Sequence, residues 1–245
     1  MFKQITSTVL AVIFCSDLMA QDSPVVNTGG YTKVFRGKEA AFEKAVSSHV
    51  SKWHGVGQWN QYGARVLTGP KAGQYMIGTT GHYWKDFDER KATEAHDTDW
   101  GRIQNNYVEG GTGVEYLVKE PDASYNDRRS AMAVITYYYC KPGRRSDMID
   151  IMKKAVVADK AAGFEDSYGV YRLEASGRNN VLAIVGRMDG MADMGPDNTT
   201  IRERWIAKYG EEESNKAGEV WRDSHWNSES AIIQLVESMT TPPSN

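Results

Sequence analysis

The chain has 245 residues, of which 40% are hydrophobic, 25% charged and 11% aromatic, and its net charge is −3. That composition supplies a core and excludes a disordered chain. The balanced charge excludes the basic stripe a nucleic-acid surface needs, and the short runs 127–129 and 141–145 read as solvated turns.

Residues 1–20 read as a signal peptide. Lys3 gives a positive start, residues 5–15 form an apolar run too short to span a bilayer, and Ala20 is a small residue before Gln21. The mature protein is therefore expected outside the cytoplasm, periplasmic or secreted, with no membrane span. Cleavage would remove Cys15 and leave Cys140 without a disulfide partner. Cys140 ends the strand-like run 134–140 and is expected to be a buried structural thiol.

In chain order, a strand is expected at residues 31–36. Phe42, Ala45, Val46, His49, Val50 and Trp53 then recur at helical spacing. Residues 59–68 and 74–82 read as two strands around a glycine-rich turn. A second helix is expected over about 86–107, a flexible turn at 110–113 and a strand at 113–119. A polar linker, 121–130, follows. The series then returns: a strand at 133–141, a helix carrying Met148, Ile151, Met152, Ala155 and Val156, and strands at 165–174 and 180–187. A helical region at 199–226 and a strand at 231–237 complete it, leaving 240–245 as a frayed tail.

The two series share an ungapped register. At an offset of 106, Gly37 meets Gly143, Gly57 meets Gly163, and Tyr62-Gly63 meets Tyr168-Gly169. The offset grows to 118 at Leu117-Val118 and Leu235-Val236, placing an insertion in 190–198 or 211–213. The expected organisation is thus one repeat over 25–120 and another over 131–239. Each has the order strand–helix–strand–strand–helix–strand, the ferredoxin-like plan, an antiparallel sheet with both helices on one face. The bare sheet faces can cover each other. This α+β arrangement resembles the dimeric α/β-barrel superfamily in a fused, tandem-repeat form. That superfamily includes cofactor-independent monooxygenases, muconolactone isomerase-like enzymes and haem-handling proteins, so the resemblance implies a barrel and leaves the activity open.

Differences between the aligned helices mark candidate site residues. His49 stands where the second repeat has Ala155, and Trp53 where it has Asp159. An imidazole on an apolar face is either a hydrogen-bonded core residue or a base or ligand facing a pocket. His96 and Trp100 share a stripe with Ile103 and Tyr107. His49 and His96 are therefore the candidates for proton handling, with Trp53, Trp59, Tyr62 and Trp100 as pocket walls. His54 is assigned to the helix end, where a cation suits the dipole. Tyr168, Tyr171, Arg172, Arg187 and His225 are the alternatives in the second repeat. Residues 186–190 fit a short Gly-x-x-Asp-Gly pattern that a turn after a strand meets equally well.

No phosphate loop, nucleophile elbow or dinucleotide fingerprint is present, and the spacing reveals no metal or cofactor set. The expected function is an exported barrel holding a small, largely apolar or aromatic molecule in the first repeat. The alternatives are a cofactor-independent monooxygenase or isomerase and a haem-binding protein.

Overall fold

The computed structural model describes residues 24–56, 58–178, 180–195 and 199–243. The expected signal peptide, 1–20, and Gly57 lie outside the described residues.

The first half runs β1 (Val26–Val34), α1 (Glu39–Trp53), β2 (Gln61–Val66), β3 (Tyr75–Thr79), α2 (Trp84–Glu89), α3 (Glu94–Tyr107), β4 (Val108–Gly111) and β5 (Glu115–Lys119). The second runs β6 (Met132–Cys140), α4 (Arg145–Ala162), β7 (Tyr168–Glu174), β8 (Val181–Met188), α5 (Ile201–Tyr209), α6 (Glu211–Ser224) and β9 (His225–Leu235). Within each half the strand from the chain's start lies between the third and fourth, as the ferredoxin-like plan requires. The halves are joined edge to edge, β2 to β9 and β5 to β7, all antiparallel. With β1 pairing both β3 and β5, the sheet closes on itself as a barrel. At that closure Gly78 is obligatory, because a Cβ there would fall 1.8 Å from the Thr28 carbonyl oxygen.

The period-2 alternation of strands sorts side chains into two layers. Tyr31, Met76, Leu117, Ile135, Tyr137 and Leu173 belong to the interior cluster. The outward residues meet helices. Phe42, Val46 and Val50 of α1 pack with Tyr75 and Ile103, while Met148, Met152 and Ala155 of α4 pack with Leu182 and Trp205. Each such fully buried side chain contributes about 1.5–3 kcal/mol relative to exposure. Cys140 is buried in this second layer, its Sγ 3.5 Å from Met148 Sδ, and burial pushes its thiol up. Among the described residues no helix is long and apolar enough to cross a membrane.

Several boundaries differ from the sequence expectation, each for a local reason. The helix expected over 86–107 is two helices: Arg90 is extended, and Thr93 starts α3 afresh by accepting the His96 N–H at 3.2 Å. The region 199–226 is likewise broken at Gly210, whose φ is 87°. The segment between β8 and α5, 189–200, is longer than that between β3 and α2, 80–83. Residues 110–113 were expected to form a flexible turn, yet Gly110 and Gly111 pair with Lys33 and Thr32 as part of β4. β9 begins at His225 rather than 231, because Asn227–Ser230, too polar to read as a strand, pair along β6.

The linker and tail are also more structured than expected. Ala123 and Tyr125 are buried. Of the run read as a solvated turn, Asp127 is buried between two cations, Arg128 pairs with Asp189, and Arg129 pairs with Glu237. In the tail, Thr240 and Thr241 accept the N–H groups of Gly63 and Gln61.

Candidate functional site

Two constellations stand out, one inside the barrel and one outside it. Along β5 the inward residues are Glu115, Leu117 and Lys119. At the Glu115 end the interior is plugged: Arg178 donates to both Glu115 oxygens at 2.6 and 2.8 Å, covers the Tyr137 ring, and donates to the Tyr139 hydroxyl. Beside this plug the Tyr31 and Tyr137 hydroxyls lie 3.1 Å apart.

At the Lys119 end lies a cavity of about 490 Å³, within the usual range for small-molecule sites. Its walls are largely apolar, including Met76, Leu117, Ile135, Val185 and Ile233. Polar residues interrupt them, among them Asn27, Asn60, Arg128 and Arg129 and a connected cluster centred on Asp127. Asp127 accepts from Lys119 Nζ at 2.8 Å, from Arg187 Nε at 2.8 Å and from the Tyr171 hydroxyl at 2.9 Å. Burial works to raise the Asp127 carboxyl, but Arg187 and Lys119 outweigh it and hold the group below its ordinary value. Two cations around one carboxylate leave this end of the cavity positive. Gln61 also lines the cavity, and its Nε2 is buried without a partner in the protein. Buried donors are normally satisfied, so this one is available to a ligand or water.

The second constellation joins the end of α1 to the start of α3. His49 and Trp53 lie one turn apart on α1, and His54 is its C-cap. His96 sits in the first turn of α3, followed by Asp99 and Trp100 on the same face. The three imidazoles converge: His54 Nε2 is 3.3 Å from His49 Nε2 and 3.4 Å from His96 Nε2. The opposite ring nitrogens each meet an oxygen. His49 Nδ1 lies 2.8 Å from Asp99, His54 Nδ1 2.6 Å from the Trp59 carbonyl, and His96 Nδ1 2.9 Å from Asp97. Hydrogen bonds from His49 and Arg102 hold the Asp99 carboxyl low, at about 2. Burial pushes His54 down to about 4 and also lowers His49.

The residues singled out from the sequence therefore divide among three places. His49, His96, Trp53 and Trp100 come together outside the barrel, where Trp53 donates to Asp99 and Trp100 lies 5.1 Å from the His49 ring. Tyr62 faces the barrel cavity. The Trp59 ring belongs to neither: it stacks on His82 at 3.7 Å. His54, expected at the helix end, is the C-cap of α1 as expected, but it is buried, 3% exposed, against the other two imidazoles. Lys119 and Asp127 were not singled out, since a strand end and a polar linker carry no sequence signal for a shared cavity. Of the second-half alternatives, Arg187 and Tyr171 line the cavity. Tyr168 donates outside it to Asp159, and His225 bonds the Trp221 carbonyl.

The architecture is that of the dimeric α/β barrels, a mixed α+β fold with one large antiparallel sheet. Among solved structures it is similar to a monooxygenase candidate from Fusobacterium nucleatum, with TM-score 0.57 and 16% identity, covering 87% of this chain and 93% of that one. A monooxygenase candidate from Lactobacillus acidophilus matches with TM-score 0.58 and 8% identity, over 90% and 96% of the two chains. Chlorite dismutase from Candidatus Nitrospira defluvii, solved with imidazole, matches with TM-score 0.53 and 8% identity, over 90% and 95%. No protein-family model and no curated protein matches the sequence. At such identities the likeness establishes the fold alone.

Proposed function

We propose that the protein binds a small, largely apolar or aromatic molecule carrying an anionic oxygen, inside the barrel. The carrying observation is the cavity itself: apolar walls with Lys119, Arg187, Tyr171 and Asp127 converging at one end. Both halves line it, so the first-half pocket expected from the sequence gives way to a shared one. A panel of aromatic carboxylates and their neutral amides, measured by calorimetry, tests this reading. The acids are expected to bind at least about tenfold more tightly, a difference of about 1.4 kcal/mol, and Arg187→Gln should remove the preference. Equal binding of acids and amides, or a preference untouched by Arg187→Gln, would overturn it.

The enzymatic alternative used His49 or His96 as a base. Neither lines the cavity, and Asp127 is neutralised by two cations, so the binding reading is better supported. A histidine-ligated haem in the cavity fits poorly too, because no histidine is among its lining residues.

The halves are read as products of one duplication. Gly37 and Gly143, equivalent in the repeat register, both take left-handed φ values, 80° and 75°. The contacting hydroxyls of Tyr31 and Tyr137 are likewise 106 residues apart. Export is part of the same proposal and rests on the apolar run at 5–15. Intact-mass analysis of protein from its native host is expected to give a chain beginning at or near Gln21, and full-length protein in the cytoplasm would refute it.

A further inference from the structure

We propose that His49, His54 and His96 form a binding site for a divalent transition-metal ion of the zinc class, held by their three Nε2 atoms outside the barrel. The argument begins with the outer nitrogens. Asp99, the Trp59 carbonyl and Asp97 are acceptors, so each Nδ1 carries the hydrogen. In the neutral imidazole that leaves each Nε2 with a bare lone pair. Three lone pairs then face one another, within 4.8 Å, with no hydrogen between them. Such an arrangement is repulsive unless a cation sits among them.

The geometry has the right scale. A tetrahedral zinc ion with bonds of about 2.0–2.1 Å to nitrogen requires ligand atoms about 3.3–3.4 Å apart. The Nε2 separations from His54 to His49 and His96 are 3.3 and 3.4 Å, and the three ligand atoms lie within 4.8 Å of one another, so a bound ion would draw His49 and His96 together. The outer hydrogen bonds reproduce the carboxylate–histidine and carbonyl–histidine supports that orient metal-binding imidazoles and raise their basicity. Asp99 is the main positioning residue. It takes the His49 Nδ1–H and the Trp53 indole N–H together, and is anchored by Arg102 at 2.8 Å. All-imidazole ligation suits Zn²⁺, Cu²⁺ or Ni²⁺ and disfavours Ca²⁺ and Mg²⁺, which take oxygen ligands. Three protein ligands leave a coordination position for water or a small anion. His96, the least buried of the three with a side chain 13% exposed, gives the site its contact with solvent.

Co²⁺ provides a coloured probe. The full chain, stripped with a chelator, is titrated with Co²⁺ and followed by visible absorption. One equivalent is expected to bind with the intense ligand-field bands of a tetrahedral site, and Zn²⁺ should displace it. His96→Ala, at the most exposed ligand, is expected to keep its far-ultraviolet circular dichroism and to lose the tetrahedral spectrum. Asp99→Asn should weaken Co²⁺ binding about 10–100-fold while keeping that spectrum. Failure of the native chain to take up stoichiometric Co²⁺ would overturn the proposal. So would a spectrum and affinity unchanged in His96→Ala. The readouts are independent of any barrel ligand, so this site and the cavity stand or fall separately.

Discussion

Replacing Arg204 by alanine is expected to destabilise the protein by about 3–5 kcal/mol, the cost of leaving one member of a buried ion pair without the other. The Asp159 side chain is fully buried, and Arg204 Nε donates to it at 2.7 Å with a side chain only 4% exposed. The Tyr168 hydroxyl donates to the other carboxylate oxygen at 2.8 Å, and the guanidinium lies 3.6 Å from the centre of the Phe164 ring. This cluster pins α4, α5 and β7 together. For a chain of this length the loss corresponds to a fall in Tm of about 2–4 °C per kcal/mol. Replacing both partners with apolar residues, as in Asp159→Leu with Arg204→Met, should recover much of the stability, since no buried charge remains. Thermal melts of the single and double variants check this. A single variant within about 0.5 kcal/mol of the native protein would show that the pair is not dry.

Asp127→Asn is expected to act in opposite directions on stability and on binding. The carboxylate lies between Lys119 and Arg187, whose side chains are 27% and 21% exposed. Because those cations keep some water, the expected cost is about 2–3 kcal/mol, below that of a fully buried pair. The same change leaves the cavity more positive, so aromatic carboxylates should bind more tightly to folded Asp127→Asn than to the native protein. The pH dependence follows from the depressed carboxyl. In the unfolded chain Asp127 titrates near its ordinary value of about 3.9. Its contribution is therefore complete above that value and is lost as pH falls through the lower, folded value. Urea melts across this acid range should show a component in the native protein that Asp127→Asn lacks. Weaker carboxylate binding by the folded variant would mean that Asp127 itself orients the ligand.

Element order was legible in the sequence because helices and strands write their own periods. The α1 stripe of Phe42, Val46, His49 and Val50 is buried as its spacing requires, and the Met148 stripe of α4 matches it. What stayed hidden depended on distant partners. β9 could not be read from Asn227–Ser230, because those polar residues become strand only by pairing with β6. The two exceptions in the helix alignment, His49 for Ala155 and Trp53 for Asp159, were visible, but their meaning was not. In the second half the buried carboxylate sits on α4 and is met by Arg204 of α5. In the first a partly exposed carboxylate, Asp99, sits on α3 and is met by His49 and Trp53 of α1. Each half ties its long helix to a later one through a carboxylate, from opposite sides. His54 was placed at the helix end, where it lies, but its meeting with His49 and His96 depends on the packing of α3 against α1, which spacing does not encode.

The seam between β2 and β9 also governs when the protein can be finished. Gln61 and Gly63 wait for Thr241 and Thr240, 180 and 177 residues later, and the fully buried Met239 arrives with them. Bringing together segments so far apart carries a loop-closure cost and slows folding. On a growing chain, the edge of β2 and the apolar side chains facing the barrel axis stay uncovered until residue 241 has been made. The interval between making the first hairpin and sealing it is when aggregation threatens most, and when a holding chaperone would have its greatest effect on yield.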